Sequence, residues 1–131
     1  MLKYKIIINK INHIKMSRIL IVDGKDQHQD EPEAFVVPPT TLRNAEALER
    51  AVFDAAYIYN TPTDYITSNA LFHIFRGLKP GATLEVNVYQ PIKVMQELDA
   101  AEIEANATVG GFDNVDSKPS DGSWRLVMKK P

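Results

Sequence analysis

The sequence predicts an α/β domain: a mostly parallel sheet flanked by helices, finished by a C-terminal antiparallel hairpin. Three observations predict it. Short apolar or β-branched runs, "ILIV" (19–22) and "FDAAYIYN" (53–60) among them, alternate with stretches of helical period, as parallel strands joined by crossovers require. The resulting order along the chain is β, β, α, β, α, β, α, β, β. The last two strands flank "KPSDG" (118–122), a turn-rich stretch that reads as the bend of a hairpin.

Taken in order, "SRILIV" (17–22) is a short buried strand bounded by Asp-Gly. "EAFVVPP" (33–39) contains a second strand, stopped by two prolines that cannot donate to a ladder. "TTLRNAEALERAV" (40–52) predicts a helix, with Leu42, Ala45, Leu48 and Val52 at spacings of three and four and Thr40 or Thr41 as its cap. After the third strand (53–60), a helix over about 66–78 places Ala70, Leu71, Ile74, Phe75 and Leu78 on one face, with His73 and Arg76 on the other. "LKPGA" (78–82) reads as the turn that ends it. "TLEVNVYQ" (83–90) alternates Leu84, Val86 and Val88 against Glu85 and Asn87, so one face of that strand is wetter. Pro91 suits the first position of a last helix, 91–107, whose Ile92, Met95, Leu98 and Ala101/Ala105 form its apolar stripe. Gly110-Gly111 ends it, and "FDNVDS" (112–117) and "WRLVMKK" (124–130) form the hairpin.

The 131 residues, 44% apolar and 24% charged, suit one globular domain with one core. Charge is unevenly spread. Residues 1–15 hold four Lys and no acid, which leaves 11 basic against 17 acidic residues, a net of −6, in the remainder. That division separates a basic N-terminal extension (1–15) from the domain proper (16–131). The extension reads as an appended or alternative-start segment in preference to a targeting peptide, which is usually rich in Arg and Ser, or an extra edge strand. An acidic body argues against a nucleic-acid partner. No apolar run reaches the roughly 18 residues that a membrane span needs. Cysteine is absent, which excludes disulfides, thiolate metal sites, cysteine nucleophiles and cluster ligation within this chain.

Three stretches carry a resemblance. "FDAAYI" (53–58), a helix closing in "LKPGATLEV" (78–86), and "VGGFDNV" (109–115) followed by "WRLVMKKP" (124–131) resemble the second half of the class I S-adenosylmethionine-dependent methyltransferase fold, a Rossmann-like sheet. Within that fold the chain is most similar to the N-terminal domain of the anamorsin (cytokine-induced apoptosis inhibitor) family, through Phe53-Asp54, Leu78-Lys79-Pro80-Gly81 and Lys129-Lys130-Pro131, with Ala82 where a second turn glycine is common. The resemblance implies a reduced methyltransferase-like domain without catalysis, serving as a docking scaffold in cytosolic iron–sulfur cluster assembly. It further implies protein partners, an NADPH-dependent diflavin reductase among them, a monomeric state, and a cytoplasmic or mitochondrial intermembrane-space location. Iron–sulfur clusters would sit in a cysteine-rich region downstream of this chain.

The residues themselves point the same way about the cofactor. A methyltransferase needs a glycine-rich turn after its first strand, an acid after its second to hold ribose hydroxyls, and a helix between the two. This chain offers Gly24 alone, beside Asp23, Asp26, Asp30, Glu31 and Glu33. "FVVPPTTL" (35–42) holds no acid, and the ten residues from 23 to 32 disfavour a helix. Like charges about 4 Å apart repel by about 1 kcal/mol in water, so this segment is a poor seat for the cofactor's carboxylate and reads as a solvated acidic loop. A cation site from Asp23, Asp26, His28 and Asp30 matches no calcium or zinc spacing. The expectation is therefore no catalytic, cofactor-binding or metal residue.

Other chemistry is sparse. Asp54 begins its strand, at the end away from the crevice, and reads as structural. His73 reads as a surface residue, and Ser17, Ser68, Ser117, Ser120 and Ser123 lack a nucleophile elbow. Trp124 and Tyr57, Tyr59 and Tyr89 read as strand packing. What remains is a partner surface at the carboxyl-end crevice, expected from Asp23, Asp26, Pro38, Asn60, Pro62, Tyr65 and Gln90. Two alternatives stand beside it: a divergent S-adenosylmethionine-dependent small-molecule methyltransferase, and an unrelated α/β adaptor sharing only the turn.

Overall fold

The computed structural model describes residues 18–25, 27, 34–88 and 90–131. The N-terminal extension, Ser17, Asp26, His28, Asp30 and Tyr89 lie outside them. Six strands form one sheet in the order β2-β1-β3-β4-β6-β5. They are β1 (Ile19–Asp23), β2 (Ala34–Val37), β3 (Phe53–Tyr59), β4 (Leu78–Val88), β5 (Asp113–Ser120) and β6 (Ser123–Lys129). The first four run parallel, and β6 is antiparallel to both β4 and β5. The mostly parallel sheet with a C-terminal hairpin is thus as the sequence predicts.

The two sides of the sheet differ. Leu20, Ala56, Leu84 and Met128 lie in one row across it, Val22, Ile58, Val86 and Leu126 in the next, and all eight are buried in the core. The helices α1 (Ser68–Gly77) and α2 (Lys93–Gly110) cover this side, packed on each other, with a 3₁₀ segment (Pro39–Ala47) against α1. On the other side the matching row reads Ile21, Tyr57, Glu85, Val127. There Glu85 pairs with Arg125 at 3.5 Å and the rings of Tyr57 and Tyr59 stack at 5.9 Å. The alternation read in residues 83–90 is this difference.

Three elements depart from expectation. The helix expected over 40–52 is the 3₁₀ segment, broken where Asn44 leaves helical geometry (φ −127°, ψ 37°). A Thr-Thr start and an Asn whose side chain competes for backbone partners explain the weak helix. "LKPGA" is part of β4 and not a turn before it: Leu78 pairs with Phe53, the register shifts, and pairing resumes at Thr83. Gly81 supplies a φ of 85° at the shift, which a residue with a Cβ adopts only with strain. In α2 the buried residues are Gln96, Ala100, Ile103, Ala107 and Gly110, while Ile92, Met95 and Leu98 are exposed. Reading the stripe Ile92-Met95-Leu98-Ala101/Ala105 as the packed face is corrected. Gln96 takes the inward place because its carboxamide donates to the carbonyls of Gln90 and Gly122, satisfying a buried polar group.

The amino end of the sheet is fastened by Asp54. Its carboxylate accepts the Arg18 N–H at 2.8 Å and pairs with Lys79 at 3.1 Å, while its own N–H donates to the Arg18 carbonyl. The Arg18 N–H foremost, with help from Lys79 and against partial burial, holds the Asp54 carboxyl below its ordinary value of 3.8. A depressed carboxyl contributes stability above its unfolded pKa and loses it as pH falls through the folded one. We therefore predict that Asp54→Ala costs about 1 kcal/mol at neutral pH. In urea titrations the gap to wild type should persist down to about pH 5 and shrink below about pH 4; a gap that grew on acidification would contradict this assignment.

Candidate functional site

In this strand order β1 lies between β2 and β3: the chain passes from β1 to β2 on one side and then returns past β1 to β3 on the other, so the winding reverses between β1 and β3. The crevice of an open α/β sheet falls at such a switch point, outside the carboxyl ends of its strands. Here those ends are Asp23 on β1 and Tyr59 on β3, with Asn60 directly after it.

They are joined. Asp23 is 2% exposed. Its carboxylate accepts the backbone N–H of Lys25 at 2.9 Å and of Gln27 at 3.0 Å, and the Asn60 Nδ2–H at 3.0 Å. Asn60 Nδ2 also donates to Gln27 Oε1 at 3.2 Å. The Gly24 N–H donates to the Tyr59 carbonyl at 3.3 Å. At Gly24 a Cβ would collide with the Asn60 carbonyl oxygen, with Pro39 Cγ also close at 3.5 Å. Asn60 itself sits at φ 50°, a left-handed conformation that asparagine tolerates better than most residues. Three loops thus close on one another over the switch point.

The other expected surface residues divide into two groups. Pro38 ends β2 and is exposed, and Pro62, also exposed, precedes a one-turn 3₁₀ segment (Thr63–Tyr65). Tyr65 is half-buried against the core, with the Arg43 guanidinium 4.3 Å from its ring centre. Gln90 stands apart. It donates to Asp99 at 3.3 Å, and its carbonyl is held by Gln96. Beside it a polar cleft of about 410 Å³ opens between the start of α2 and the hairpin bend, lined by Pro91, Lys93, Gln96 and Pro119–Ser123. The structure brings Asp23 and Asn60 together and does not join them to Gln90. Placing Asp23 in a solvated loop is corrected: a carboxylate that takes two main-chain N–H groups and a side-chain amide is drawn inward. The acidic letters of the loop hid this; the Asp-Gly pair at the end of a buried strand, with an Asn after β3, was the available signal.

Trp124 Nε1–H donates to Ser117 Oγ at 2.7 Å across the hairpin. His73 is half-buried on α1, its Nδ1 3.0 Å from Arg76 Nη1. Among the described residues no group of three His, Cys, Asp or Glu could hold a metal ion, and no helix is long and apolar enough to cross a membrane.

No family model matches the sequence, and no curated protein matches it. Solved structures do. A S-adenosylmethionine-dependent methyltransferase from Thermotoga maritima, described as a possible histamine N-methyltransferase, superposes with a TM-score of 0.55 at 15% identity, over 88% of this chain and 82% of that one. The antibiotic-resistance methyltransferase Kmr gives 0.63 at 11% identity, over 97% and 93%. Spermidine synthase from Thermotoga maritima gives 0.62 at 14%, over 91% of this chain and 55% of that one. The chain has the methyltransferase-like Rossmann fold. Identity this low carries the fold and not the reaction.

S-adenosylmethionine is the cofactor this fold implies, and the described residues fit it poorly. The N–H groups after β1 that would meet its carboxylate already serve Asp23, and β2 runs into Pro38 with no acid to hold the ribose. If the closure is a built contact, Gly24→Ala destabilises the domain by about 2 kcal/mol through the clash with Asn60. Asn60→Gly, which keeps the backbone conformation and loses only the amide bonds, should cost less than Asn60→Ala, which loses both. Thermal denaturation of the three variants checks this order.

Proposed function

We propose that this is a non-catalytic docking and scaffold domain built on a methyltransferase frame. In this reading it corresponds to the N-terminal part of an anamorsin-like protein acting in cytosolic iron–sulfur cluster assembly. Electrons would pass from an NADPH-dependent diflavin reductase to clusters held by a cysteine-rich region outside this chain. The domain's share is to keep that region near its partners, which raises their effective concentration without any chemistry of its own. It would work as a monomer in the cytoplasm or the mitochondrial intermembrane space.

One observation supports the absence of catalysis above others: Asp23 supplies, from within the chain, the anion that the amides after β1 would otherwise take from a ligand. The family assignment rests on the sequence likeness through Phe53-Asp54, "LKPG" and "KKP".

The structural neighbours favour a second reading, a divergent S-adenosylmethionine-dependent small-molecule methyltransferase, because two of the three named are methyltransferases over most of this chain. The third, a spermidine synthase, carries different chemistry on the same frame. Isothermal titration with S-adenosylmethionine separates the readings. We predict no heat of binding up to about millimolar ligand; a dissociation constant near the micromolar range, about −8 kcal/mol, would establish the second reading instead.

A further inference from the structure

Helix α2 is apolar on the side turned away from the sheet. At about 100° per residue, Val94, Leu98, Ala101, Ala105 and Val109 fall within an arc of about 80°, directly opposite the buried Gln96, Ala100, Ile103, Ala107 and Gly110. Val94, Leu98 and Val109 are 63%, 62% and 76% exposed. Of the seven large apolar side chains exposed among the described residues, five lie between Ile92 and Val109. An exposed leucine alone is ordinary. A continuous ridge over about four turns, roughly 22 Å long, is the form of surface that marks a binding site.

Charge says what would cover it. Glu97 and Glu104 flank the ridge on one side and Glu102 and Asp99 on the other. Glu97, Glu102 and Glu104 make no ion pair among the described residues. Lys93 is the only cation on the helix. A second copy of this helix would bring like charges together along the contact, which disfavours pairing with itself. An anionic membrane is repelled for the same reason, since interfacial helices carry Lys and Arg beside their apolar face.

We propose that this ridge is a docking site for an amphipathic helix of a partner protein, with an apolar stripe bordered by Lys or Arg. The stripe would pack along Val94, Leu98, Ala101, Ala105 and Val109, and its cations would meet the glutamates on both sides. The site is separate from the crevice at Asp23, so it stands whether or not the domain binds S-adenosylmethionine.

The test is fluorescence anisotropy of the full chain with a labelled helical peptide of about 18 residues, leucines at helical spacing flanked by lysines, and with the same peptide carrying glutamates at the flanks. The lysine peptide should bind at least about tenfold tighter than the glutamate one, and more weakly as salt rises. Leu98→Glu should weaken it by about tenfold although it adds a negative charge, and Val109→Ser should weaken it too, with melting temperatures within a few degrees of wild type. Tighter binding by Leu98→Glu would reduce the effect to bulk attraction and overturn the proposal. So would equal binding of the two peptides, or a homodimer in sedimentation that Leu98→Glu dissolves.

Discussion

A buried carboxylate has to be met by donors from its own surroundings, because water cannot reach it and burial without partners costs several kcal/mol. Asp23 meets that demand with the N–H groups of Lys25 and Gln27 and the amide of Asn60, and the consequences run through the carboxyl end of the sheet. The loop after β1 must curl back over its own strand. Gly24 must lack a side chain to pass the Asn60 carbonyl. Asn60 must hold a left-handed conformation to present its amide. The ends of β1 and β3, which part in an open α/β crevice, are therefore tied together. One set of donors serves one anion, so satisfying Asp23 and receiving a ligand carboxylate are competing uses of the same groups.

The opposite end of the sheet is held by the residues that carry the resemblance. Gly81 N–H donates to the Lys130 carbonyl, and Lys130 N–H returns a bond to the Ala82 carbonyl, both at 2.9 Å. The Lys130 ammonium donates to the Leu78 carbonyl at 2.8 Å and lies 4.8 Å from the centre of the Phe75 ring. "LKPG" and "KKP" are thus two sides of one lock between β4 and the chain's last residues. Phe53-Asp54 belongs to the same end, through the Leu78 pairing and the bonds to Arg18 and Lys79. These motifs report a way of fastening strands, which is why they speak for the frame and say little of chemistry.

Strand positions were legible because an apolar face forces a period of two, and the parallel order followed from the alternation with helices. The face of α1 was legible too: Ala70, Leu71 and Ile74 are buried as the spacing requires, although Leu78, read as the end of the same face, opens β4. In α2 the same logic failed, since that helix carries apolar residues on two opposite faces. Period alone cannot say that small Ala100 and Ala107 turn inward while Leu98 turns out, nor that Gln96 finds two carbonyls. Asp23 failed differently. Its neighbours in sequence are acidic and polar, and its partners in space are main-chain groups and an Asn 37 residues away, which composition does not register.

The most direct test of the account is a ¹⁵N–¹H correlation spectrum of the full chain titrated with S-adenosylhomocysteine to about millimolar concentration. If Asp23 holds the donors after β1, the Lys25 and Gln27 amide signals keep their positions throughout. Saturable shifts centred on those two amides and on Asn60 would mean that a ligand displaces the carboxylate, and the account of a self-occupied seat would be wrong.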